Sequence, residues 1–152
     1  MDISSLITAI LLSISPLGEA RVGIPYGVFA GNSVLISFIA GLSANLLVFP
    51  LFYFLINWAN KKLWKHKGYK KSAVYLGQRA KRKTGSAIGK YGAWGLMVFV
   101  MIPLPVTGAY VGTIAAYVLG IPYKKSLASI SVGVTISSAI IAFGLQFGQS
   151  LW

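Results

Sequence analysis

Glu19 and Arg21 stand two residues apart in the stretch SISPLGEARVGIPYG, residues 13–27. Groups able to carry acid–base chemistry are scarce here: the only acids are Asp2 and Glu19, and the only histidine is His66. A carboxylate near a guanidinium can hold and release a proton, bind a cation, or simply neutralise its neighbour. Pro16 and Pro25 flank the pair and mark a helix break. A zinc site or a Ser-His-Asp hydrolase needs more ligands and bases than this chain has. Without cysteine there are no disulfides or thiolate metal sites. The expectation is a protein with no catalytic residues, no metal and no cofactor, and not an enzyme.

The surroundings sharpen the question. Charged residues make up 11% of the 152-residue chain and hydrophobic ones 56%, where a soluble domain is about a quarter charged. Long apolar runs point to an integral membrane protein. Inside a membrane an acid or an arginine costs at least a few kcal/mol on insertion scales, which makes Glu19 and Arg21 functional candidates. The net charge of +12 is concentrated. Eleven of the fourteen Lys/Arg lie between Lys61 and Lys90, the mark of a cytoplasmic loop that meets anionic lipid headgroups. No specific nucleic-acid partner is expected. Asp2 stands where a signal peptide would be basic.

The elements that must position the pair follow from hydropathy and breaks. Residues 33–58 and 123–150 are long enough to span a bilayer, at about 20 residues per crossing. The shorter apolar pieces come in pairs around proline breaks, at Pro16-Leu17-Gly18 and Pro103-Leu104-Pro105. The order short–break–short–long occurs twice, and Pro16-Leu17-Gly18-Glu19-Ala20-Arg21-Val22-Gly23 lies over Pro105-Val106-Thr107-Gly108-Ala109-Tyr110-Val111-Gly112. Both read P-x-x-x-A-x-V-G, and small residues follow at every fourth position: Gly23, Gly27 and Gly31 in one, Gly108, Gly112, Ala116 and Gly120 in the other. Such stripes allow close backbone approach and would also allow a homodimer.

If residues 91–119 dip in and return, Lys124 and Lys125 stay on the basic, cytoplasmic side. The expected fold is therefore an all-α integral membrane protein with an inverted repeat. Its first repeat, 1–58, is a re-entrant hairpin (3–31) followed by a transmembrane helix (33–58). A basic connector, 59–90, follows, with an interfacial amphipathic segment over 70–92. The second repeat, 91–152, is a hairpin (91–120) and a transmembrane helix (123–150). The protein would be multi-pass in the cell membrane, with both termini outside. Two inverted hairpins meeting near mid-membrane form a transporter-like core. Residues 18–21 are expected to be irregular, with backbone N–H groups facing an anion or a carboxylate. The second break carries no charge; Thr107 and Tyr110 supply its hydroxyls. Asn45 either lines the site or bonds between helices, and Pro50 kinks its span.

GEARVGIP and PLPVTGAYVG resemble the putative small multi-drug export protein family, over nearly the whole chain. That family is similar to the DedA/VTT membrane proteins, whose paired re-entrant hairpins each precede a transmembrane helix. The resemblance implies transport: proton-dependent movement of a small hydrophobic compound, or flipping of a lipid or polyprenyl-phosphate carrier. By motif it carries over Glu19 and Arg21 as the proton and partner residues. The second hairpin has Pro103, Pro105 and Gly108 where DedA-type hairpins often bring another arginine. The alternative is a non-transporting structural or assembly protein whose Glu–Arg pair is architectural.

Overall fold

The structure is a computed structural model that describes residues 3–63, 75, 91–103 and 108–150. The described residues form seven helices and no strand: α1 Ile3–Ile14, α2 Glu19–Phe29, α3 Val34–Leu46, α4 Val48–Leu63, α5 Ala93–Met101, α6 Ala109–Val118 and α7 Tyr123–Ser150. Apart from Tyr75, residues 64–90, and with them most of the amphipathic stretch expected over 70–92, lie outside the described residues.

Helices α1 and α2 are the two arms around the first proline break, and they pack on each other; α5 and α6 are the arms around the second. Residues 34–62 and 123–148 are long and apolar enough to cross a membrane. The first of these is not one smooth rod. Leu47 is a turn between α3 and α4, three residues before Pro50, which cannot donate to Leu46 and whose ring crowds that carbonyl.

Polarity is arranged opposite to that of a water-soluble bundle. Ser13, Ser37, Thr113, Ser126 and Ser138 are buried, while Leu11, Phe29, Leu35, Phe54 and Phe143 face outward. An apolar exterior with small hydroxyl residues inside is what a lipid solvent selects. Two of these hydroxyls bond to main chain one turn back, Ser13 Oγ to Ala9 O (2.8 Å) and Thr113 Oγ1 to Ala109 O. The main apolar core lies in the second half and is capped by α4: Val48, Phe49, Leu96, Val100, Ile130 and Val134. Tyr53, Tyr117 and Tyr123 extend it as ring contacts, with centroids 5.0 to 5.8 Å apart.

Both hairpins end alike. The N–H groups of Gly31 and Asn32 return to Val28 and Gly27, and those of Gly120 and Ile121 to Tyr117 and Ala116. These are Schellman ends, which need a left-handed residue; φ is +90° at Gly31 and +67° at Gly120. The expectation that these glycines extend the packing stripes is therefore corrected, because a Cβ at either would have nothing within 4 Å of it. Gly23 and Gly112 close each hairpin on itself. A Cβ at Gly23 would strike Ser13 and the Ala9 carbonyl on α1, and one at Gly112 would meet Val100 on α5 at 2.7 Å. A Cβ at Gly27 would meet Ser37 of α3 at 2.7 Å.

A second correction concerns residues 19–21. Only the first of them, Glu19 with φ of +52°, departs from helical geometry; α2 begins there and runs through Pro25. Pro25 removes one helical hydrogen bond, whereas ending the helix there would leave several main-chain groups unpaired, and the chain keeps its helix across the proline.

Candidate functional site

The break after α1 is tight. Gly18 N–H and Glu19 N–H both return to Ser15 O, at 3.2 and 3.0 Å. Leu17 is left at the tip, 94% exposed. Glu19 enters α2 with φ of +52°, a conformation unusual for a residue with a side chain. That geometry turns its carboxylate away from its own hairpin and into the second one. The side chain is 7% exposed. Its Oε1 accepts the Tyr110 N–H at 3.3 Å, and the Ala109 amide also bears on it. Glu19 thus sits at the start of α6, where helix amides are unpaired and the dipole is positive. Gly108 leaves it room, since a Cβ there would fall inside the carboxylate.

Arg21 goes to the other side of the same break. Its Nη2 donates to Val100 O at 3.1 Å and Ile102 O at 3.2 Å, the carbonyl end of α5. The negative charge therefore faces the positive end of one helix, and the positive charge the negative end of another. The two groups also act on each other through space. Tyr110 returns the contact: its hydroxyl donates to Ile14 O at the end of α1, 2.5 Å away, and its ring packs edge-on against Phe52 at 4.9 Å.

Between the two breaks lies a cavity of about 370 Å³. Glu19, Arg21 and Tyr110 supply polar groups, and Leu17, Val22 and Val111 supply apolar wall. Pro16, Gly18, Pro103 and Gly108 also line it, so the helix breaks themselves shape the space. Such a site can hold one carboxylate with main-chain donors already aimed at it, next to room for a proton carrier or a small amphipathic guest.

The sequence candidates are distributed as follows. Glu19, Arg21, Tyr110, Gly108, Pro16, Gly18 and Pro103 meet at the cavity. Gly23, Gly27 and Gly112 pack the hairpins behind it, and Pro25 lies inside α2. Thr107 and Pro105 lie outside the described residues. Asn45 is buried on α3 with its Oδ1 unpartnered and does not appear in the cavity wall. Sequence reasoning missed the carbonyls of Val100 and Ile102, which no side chain announces. It also missed Phe52, which is one of many aromatics on its span.

A family model described as "Putative small multi-drug export protein" matches residues 19–140, most of the chain and all of the described site from Glu19 onward. No curated protein and no solved structure matches.

Proposed function

We propose a transport role from the premise that the chain belongs to the putative small multi-drug export protein family. In this reading each helix pair is a re-entrant hairpin, the two enter the membrane from opposite faces, and residues 34–62 and 123–148 cross it. The basic segment is cytoplasmic and rests on anionic headgroups, and both termini are outside. Glu19 is the protonatable residue, Arg21 its partner, and the cavity between the breaks receives a small hydrophobic compound or a lipid-phosphate headgroup, as in a DedA-like carrier.

One observation supports this above the others: a buried carboxylate stands on a cavity wall at the junction of two broken helices. An ionisable group placed so is costly unless it is used. The test is proton-gradient-driven flux in proteoliposomes, read with a panel of lipophilic dyes and a fluorescent polyprenyl-phosphate analogue. Glu19→Gln should leave a folded protein and abolish flux. Retained flux for every substrate that native protein moves would reject Glu19 as the coupling residue. Topology has its own test, since the chain contains no cysteine. A cysteine at Lys124 should react with impermeant thiol reagents from the cytoplasmic side; labelling from outside would mean that 91–119 crosses.

A second reading draws on the placement of Arg21. A guanidinium bonded to two carbonyls at a helix end is structural by its contacts alone, and the pair would then be architecture in a non-transporting assembly protein. Glu19→Gln with Arg21→Gln separates the readings, because only the architectural one allows that double variant full activity.

A further inference from the structure

We infer that Glu19 and Gly108 are two halves of one pseudo-symmetric position, so that the carboxylate of the site can be supplied from either hairpin. This deepens the transport reading by placing its ionisable group on the axis that relates the hairpins.

Three independent observations converge. The first is register: the alignment of PLGEARVG on PVTGAYVG lays Glu19 on Gly108 and Arg21 on Tyr110. The second is contact. The two members of the first pair meet, the carboxylate of one filling the space where the other would carry a Cβ. The two members of the second pair do the same job in opposite directions. Arg21 donates to the carbonyl end of α5, and Tyr110 donates to the carbonyl end of α1. Each hairpin thus closes the first arm of the other.

The third observation is backbone conformation, and it runs against residue type. Gly108 has φ of −87°, where any residue fits. Glu19 has φ of +52°, where glycine would be at ease. Local backbone preference would place the glycine at 19 and leave 108 free to carry a side chain. Glycine stands at 108 because two side chains cannot share the axis, and glutamate stands at 19 at the expense of local strain. A carboxylate from 108 would meet the first-turn amides of α2, as that from 19 meets those of α6.

The experiment compares apparent melting temperatures of detergent-purified protein for four chains: native, Gly108→Glu, the swap Glu19→Gly with Gly108→Glu, and a control, Glu19→Gly with Gly108→Leu. The single change should melt lowest or fail to fold, since it forces two carboxylates into one space. The control has the room but brings no carboxylate to the first turn of either α2 or α6. The swap should therefore melt above the control by at least about 2–4 °C, the shift expected for recovering one good hydrogen bond in a chain of this size. A swap that melts no higher than the control, or does not fold, overturns the inference. A second exchange, Arg21→Tyr with Tyr110→Arg, should melt above Arg21→Ala; equality or inversion counts against it. Melting order decides this question even if no chain, native included, shows flux, whereas absent flux in the native chain would reject only the transport reading.

Discussion

The two hairpins share a motif and a shape but divide their chemistry. The first contributes side-chain charge, Glu19 and Arg21; the second contributes main-chain partners, the amides of α6 and the carbonyls of α5. A broken helix exposes a positive and a negative end, each with main-chain groups that lack an intrahelical partner. The charged hairpin supplies one ion for each end. What looks in the sequence like a single ion pair is in the structure two separate helix caps, set side by side because the ends they serve are side by side.

That division can be broken at several points. The largest effect should come from Gly108→Leu alone. It adds a side chain to a filled space and drives a buried carboxylate from its amides, terms of about 1–3 kcal/mol and on the order of 3 kcal/mol. The expected outcome is loss of monodisperse protein on size exclusion.

Next comes Arg21→Ala, which leaves the α5 carbonyls without a donor and Glu19 without its counter-charge. A loss of roughly 3 kcal/mol is expected in denaturant or thermal unfolding, whereas Glu19→Gln, which keeps an acceptor for the α6 amides, should lose less. Equal losses would mean that Arg21 serves only Glu19.

Gly23→Leu and Gly112→Leu test whether the hairpins are closed alike. Each should cost about 1–3 kcal/mol, with Gly23 the worse because main chain as well as Ser13 confronts it, where Gly112 meets the side chains of Val100 and Ile130.

The smallest effect belongs to Tyr110→Phe. It removes one hydroxyl bond to Ile14 O and should cost about 1 kcal/mol while the ring stays on Phe52. A loss as large as that of Arg21→Ala would show that the two cross-contacts carry equal weight.

The pairing of short helices, the two long ones, and Glu19 and Arg21 as neighbours at a break were legible because apolar runs, proline breaks and rare charges are all one-dimensional signals, whereas Leu17, Val22 and Val111 on the cavity wall were not, because an apolar residue in an apolar chain gives no signal. Gly108 was legible too, as a member of a motif, but its purpose was not; emptiness has meaning only once Glu19 is seen to occupy it. The interruption at Leu47 was foreshadowed by Pro50, though residues 33–58 were expected as one transmembrane helix. Continuity of α2 through Pro25 was not anticipated, because the local rule for proline competes with the demand for paired backbone groups. Gly31 and Gly120 shared the spacing of the packing stripe yet serve as turns, a difference set by φ, which spacing does not encode.

The interruption at Leu47 carries a mechanical consequence. Helix α3, before it, lies against α1 and α2; helix α4, after it, lies against α6. The long helix therefore has one end fastened to each hairpin, and the joint falls where its main-chain ladder is already cut by Pro50. A tilt of one hairpin relative to the other would then be taken up as bending at Leu47, the position at which a hinge would leave both helical lever arms intact.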